Sequence, residues 1–234
     1  MFASGSWSSI GITSAEQCSA RLVRNIGQTL EGGAMRAMWI IAPFLVLSLA
    51  VAHGRVIAGP LDDAAQAGDV AKVQELITAG SDVNERDQSN ETPLIKAALT
   101  RQAAVAAALI KAGADIKARN DRGFTALHAA AYSGSIEIVT MLLDHGVSVD
   151  DRAERNITPL HVAAEENRSD VAELLLERGA ELEALQGNGY TPLTAATYMR
   201  STDVMALLKR HGAKCQSVDF MGKGAHGECA AAGN

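Results

Sequence analysis

The sequence predicts an all-α solenoid of five helix–turn–helix units joined by hairpin-like loops, and three residue ladders carry that prediction. Gly80, Gly113, Gly146, Gly179 and Gly212 recur every 33 residues. The same spacing relates Thr92, Thr125, Thr158 and Thr191, and again Leu61, Leu94, Leu127, Leu160 and Leu193. Self-similarity at a fixed period of this length marks a stacked array rather than a globular fold. The units fall at 59–85, 86–118, 119–151, 152–184 and 185–213.

Each unit has a physical reading. Thr158-Pro159 and Thr191-Pro192 place a hydroxyl cap before a proline at the first helical position, which starts a helix. The first helix, "LHVAAEE" in the fourth unit, is narrow because alanine dominates it. It stops near Gly134 or Asn167, residues that tolerate the left-handed conformation of a helix end. The second helix carries a wider apolar face: Val70, Val73, Leu76 and Ile77 in the first unit, Val171, Leu174 and Leu175 in the fourth. Gly146 or Gly179 ends it, and a polar loop such as "ARNDRGF" leads onward.

These features resemble the ankyrin repeat. Thr158-Pro159-Leu160-His161 stands at the family's most recognisable motif, and Thr125-Ala126-Leu127-His128 differs by one residue. "IVTMLLDHG" and "VAELLLERGA" are similar to its second helix. The resemblance runs from Gly59 to Ala213 and implies a curved stack that binds proteins through loop tips and the concave face of its first helices. It also implies that His128 and His161 bond the adjoining loop backbone. Three units depart from the pattern. The first lacks a preceding loop, as expected for a terminal cap. In the second and fifth, Ile95 and Thr194 replace the histidine, so their loops are expected to be held less firmly.

Four aromatics fall within the repeats, in two pairs. Phe124 and Tyr190 are 66 residues apart, just before the motif threonine, and Tyr132 and Tyr198 are 66 apart at the end of the first helix. In the family these positions lie on the loop and concave surface. Aromatics bury large area at low rotamer cost, so they make interface anchors. Leu99, Ile157 and Glu165 hold equivalent positions in other units, Met199 follows Tyr198, and Arg122 and Arg155 supply charge nearby. The predicted protein-binding surface is therefore Leu99, Arg122, Phe124, Tyr132, Arg155, Ile157, Glu165, Tyr190, Tyr198 and Met199. The competing reading is that the aromatics pack on neighbouring loops and only stiffen the stack.

Composition narrows the classes. Hydrophobic residues make up 47% of the 234, enough for a sizeable core, while aromatics at 4% are few for a barrel, sandwich or ordinary enzyme domain. The net charge of −6, with no basic run, argues against nucleic acid or an anionic membrane surface as partner. No phosphate-cradling glycine loop, nucleophile elbow or zinc-protease motif is present. Glu165 and Glu166 are adjacent, so on a helix they diverge and make a poor acid–base pair. The sequence predicts no enzyme, no cofactor and no metal, and another protein as the partner of a monomer.

Both ends lie outside the repeats. Residues 35–52 combine Arg36, an apolar run from Ala37 to Ala52 and the small-x-small pattern Ala50-Val51-Ala52, the layout of a cleaved secretory signal peptide. The run is shorter than the roughly 20 residues that span a bilayer, and Pro43 interrupts it. Only if uncleaved would it tether the stack to a membrane as a structural envelope protein. Residues 1–34 show no periodicity; translation is expected to start at Met35 or Met38, or this leader to be removed. Residues 53–58 read as a short linker. The expected location is periplasmic or secreted. Cutting after Ala52 removes three of 21 basic and two of 27 acidic residues, taking the net charge from −6 to −7.

The tail, 214–234, falls off the ladder. Cys215 and Cys229 are a natural disulfide pair in an exported protein. Closing that 15-residue loop stabilises by roughly 3 kcal/mol in the chain-entropy model. It would pin Phe220 and Met221 against the last repeat as a cap. Two other readings stay open here: reduced thiols, or a zinc or redox site that adds His211 and His226 to the cysteines.

Overall fold

The computed structural model describes residues 59–232. The leader 1–34, the signal segment 35–52 and the linker 53–58 lie outside the described residues. Among the described residues twelve α-helices follow one another with no strand. The pairs are α1 (Pro60–Ala67) and α2 (Val70–Thr78), α3 (Pro93–Leu99) and α4 (Ala103–Lys111), and α5 (Ala126–Ser133) and α6 (Ile136–Asp144). Then come α7 (Pro159–Glu165) and α8 (Ser169–Glu177), and α9 (Pro192–Met199) and α10 (Thr202–Arg210). Two tail helices follow, α11 (Val218–Met221) and α12 (Lys223–Ala231).

The start and stop signals act as the sequence predicts. The hydroxyls of Thr92, Thr158 and Thr191 accept from the N–H three residues on, at 3.4, 3.4 and 3.2 Å. Each second helix ends on a left-handed glycine. At Gly80, φ is 91°, its N–H donates to Ile77, and the Ser81 N–H donates to Leu76. This paired closure satisfies two orphan carbonyls, and it recurs at Gly113, Gly146, Gly179 and Gly212. The first helices end differently. Gly68, Arg101, Gly134, Asn167 and Arg200, again 33 apart, all take positive φ, although two are arginines.

Burial explains the ladders. Leu61, Leu94, Leu127, Leu160 and Leu193 are all 0% exposed. So are Leu109, Leu142, Leu175 and Leu208 on the second helices. Alanines at 97, 130, 163 and 196 are also fully buried, and their size lets each first helix approach the next: α3, α5, α7 and α9 pack in series. No unit could bury these faces alone, so stability resides in neighbour contacts. No helix among the described residues is long and apolar enough to cross a membrane.

In the tail, Cys215 and Cys229 pair as a disulfide, with sulfurs 2.09 Å apart. The tail also partly rejoins the ladder. Cys229, fully buried, stands 33 residues after Ala196, and α12 packs on α9 as α9 packs on α7. The tail thus supplies the first helix of a sixth unit, and the disulfide ties that helix back to the segment that follows the fifth unit.

Candidate functional site

The hairpins that precede the first helices are tied to the helices behind them by histidine. The His161 Nδ1 accepts from the Thr158 N–H at 3.4 Å, while Nε2 meets the Tyr190 carbonyl at 3.1 Å. His128 repeats this with the Thr125 N–H at 3.3 Å and the Ile157 carbonyl at 3.1 Å. Only the neutral tautomer protonated on Nε2 satisfies both bonds. Burial holds both imidazoles below their usual range, His161 down to about 4. This is the loop-backbone role the resemblance implies.

A second set of links runs along the hairpins. Arg86 donates to the carbonyls of Asn90 and Arg119; Arg119 donates to those of Gly123 and Arg152. Neighbouring tips also join directly, Asp121 N–H to Ser89, Glu154 N–H to Arg122 and Gly187 N–H to Arg155. The 33-residue spacing of Arg86, Arg119 and Arg152 carried this signal in the sequence.

The predicted surface residues divide into two groups. Leu99, Arg122, Phe124 and Tyr132 line one groove of about 570 Å³ between the second and third units. Ile95, Ala129 and His128 form its floor, with Ser89, Glu91, Asn120 and Asp121 at the rim. The half-buried Phe124 ring stacks on His128, centroids 5.2 Å apart, and Tyr132 is 49% exposed. Beyond the groove, Arg155 is exposed, Ile157 is half-buried against the core, and Glu165 is half-buried. Burial, then the neighbouring Glu166, raises the Glu165 carboxyl above its ordinary range.

The second group is engaged by the tail. Tyr190 stacks on Tyr198 at 5.0 Å and meets the edge of Phe220 at 5.7 Å. The Tyr198 hydroxyl donates to the Met221 carbonyl at 3.0 Å, and Met221 is buried. Met199 beside them is 60% exposed. The competing packing role therefore holds for Tyr190 and Tyr198, whereas no tail residue covers Phe124 and Tyr132. Residue type decides the difference. With Thr194 in place of histidine, Tyr190 has no imidazole to stack on and turns to Tyr198.

Two functional positions were missed in the sequence. Gln216 in the tail does the absent histidine's work in the fifth unit, accepting from the Thr191 N–H at 3.5 Å and donating to the Gly189 carbonyl at 2.8 Å. In the first unit Asp62 takes the histidine register. It is buried, its carboxyl is raised by burial, and Lys96 lies 3.3 Å away as an ion pair without hydrogen-bond alignment. Lys96 also meets Asp87 at 2.9 Å.

Among the described residues, no group of three or more His, Cys, Asp or Glu side chains is placed to hold a metal ion. His211 instead pairs with Glu173 at 3.1 Å. No curated protein matches the chain. A family model for ankyrin repeats, in three copies, matches residues 61–153 and again 148–219. Ankyrin repeats are, in general, protein–protein interaction modules. With the capped helix pairs, the histidine bridges and a match running through nearly all the described residues, the chain belongs to the ankyrin repeat family.

Proposed function

We propose that this chain is an exported, non-enzymatic binding module whose partner protein seats on the groove between the second and third units. One observation carries the reading. The exposed Tyr132 stands at the edge of an open groove floored by Ile95, Ala129 and His128 and walled by Leu99 and Phe124, with Glu91, Asp121 and Arg122 around it. An apolar floor with an aromatic anchor and a polar rim is the anatomy of an interface hot spot. The hairpin tips at Arg155 and the helix end at Glu165 extend this surface towards the fourth unit.

The partner would be scaffolded, protected or inhibited in the cell envelope. Export rests on the signal-like segment 35–52 and on the Cys215–Cys229 disulfide, a bond that persists in oxidising compartments. Affinity capture from envelope extracts tests the reading, with wild type beside a Phe124→Ala, Tyr132→Ala double variant of unchanged circular dichroism. A protein held by the wild type and lost by the variant supports it. Capture indifferent to the variant moves the site elsewhere. An N-terminus at His53 on the mature protein tests export, and an intact segment 35–52 would favour the tethered structural role.

A further inference from the structure

We infer that the joint between the second and third units is the yielding joint of the stack, and that Ile95 sets it by omitting the histidine bridge. The inference rests on the binding reading above only in assigning a use to that joint. Its mechanical content stands on four observations.

First, Ile95 occupies the register of His128 and His161. An aliphatic side chain there can neither accept from the cap N–H nor donate to the following hairpin. Second, the carbonyls opposite the bridges differ. Ile157 O receives both the Ala153 N–H and His128, and Tyr190 O receives both the Gln186 N–H and His161. Phe124 O, in the same register, receives only the Asn120 N–H of its own hairpin. Third, the two other units without histidine have substitute links. Gln216 reaches in from the tail to bond the Thr191 N–H and the Gly189 carbonyl, and at the first joint Lys96 pairs with both Asp62 and the hairpin Asp87. Fourth, the groove of about 570 Å³ opens at this unbridged joint, with Ile95 in its floor.

The links that still hold the hairpin across the joint are mostly peripheral. Arg86 to the Arg119 carbonyl, the Asp115 N–H to Asn84 and Asn90 to Asp121 are exposed bonds, and Asn120 reaches Glu91 at 3.4 Å. The Asp121 N–H to Ser89 bond has counterparts at the next two joints. The buried Ser133 to Ala98 bond joins the far ends of the first helices, not the hairpin. Exposed links exchange readily with water and resist opening weakly, whereas the histidine bridges are buried and costly to break. The hairpin Asn120–Phe124 therefore moves relative to α3 more easily than Ala153–Ile157 moves relative to α5. Phe124 rides on that hairpin, so the width of the groove follows its motion.

The test is amide hydrogen exchange on the full chain, comparing wild type with Ile95→His and with His128→Ile. Ile95→His supplies the missing donor and acceptor and should slow exchange in Asn120–Phe124 by about tenfold. His128→Ile should speed exchange in Ala153–Ile157 by a similar factor and leave the Gln186–Tyr190 hairpin, which His161 bridges, unchanged. The reciprocal variant keeps the test decisive if the new imidazole fits poorly. Equal protection of the two hairpins in wild type, or no response to either substitution, overturns the inference. For its use in binding, Ile95→His should weaken capture of the partner identified with wild type. Capture unchanged by Ile95→His but lost in the Phe124→Ala, Tyr132→Ala variant removes the joint from the mechanism and leaves the binding reading standing. No partner lost in either variant removes the binding reading, while the exchange data still decide the joint.

Discussion

His161 joins two repeats through one ring: Nδ1 accepts from the Thr158 N–H at 3.4 Å and Nε2 donates to the Tyr190 carbonyl at 3.1 Å. Because both bonds need the neutral ring, stability should depend on acid. Burial lowers the His161 pKa from 6.5 to about 4, so the unfolded chain binds the proton more readily than the folded one. The stabilisation is fully present above pH 6.5 and is lost as pH falls from there towards 4. The loss from His161 alone should be about 2 kcal/mol at pH 5. His128 shifts in the same direction for the same reason. Urea denaturation at pH 7 and pH 5 measures the drop, and a His161→Gln variant should flatten it.

Reducing the Cys215–Cys229 disulfide, or replacing both cysteines with serine, should lower stability by roughly 3 kcal/mol. The loss should be local. Protection should fall first in α9 and in the hairpin before it, where Gln216 and Phe220 hold Gly189 and Tyr190. Partner binding at Phe124 and Tyr132 should survive. Uniform destabilisation along the stack would contradict the capping role.

Arg200→Gly should raise stability by about 0.5–1 kcal/mol, read as an increase in melting temperature. Arg200 takes φ 58° at the end of α9, in a register where Gly68 and Gly134 stand elsewhere. Arg101→Gly, at φ 61°, should behave alike. No gain in either would mean that the arginine side chains offset the backbone cost.

The two aromatic pairs should separate by phenotype. Tyr190→Ala with Tyr198→Ala removes the Phe220 contact and the bond to the Met221 carbonyl, so it should destabilise the chain and free the tail. Phe124→Ala with Tyr132→Ala should cost less stability, since Tyr132 is half exposed, and should act on binding instead. Thermal denaturation of the two double variants distinguishes them.

Much of this was legible because the repeat copies its signals. The threonine caps, the glycine ends and the buried leucines appear at one spacing, so each unit confirms the next. The surface was legible only in part. Phe124 and Tyr190 share a register, yet whether a ring stacks on imidazole or on another aromatic depends on His128 against Thr194 four residues on. The tail was the least legible segment, since Gly224 and His226 stand where the pattern has threonine and leucine. Its signal was burial: Cys229 falls in the register of Ala163 and Ala196, a position where only a small residue fits. Gln216 carried none, because a polar side chain reaching back across a chain turn leaves no periodic trace.

The most direct test of the binding site is the affinity of a captured partner for wild type and for Tyr132→Ala, measured by titration calorimetry. A hot-spot aromatic costs about 2 kcal/mol or more when truncated, so Kd should rise by at least about thirtyfold while the melting temperature stays close to wild type. An unchanged Kd would contradict the assignment of the groove between the second and third units as the place where the partner binds.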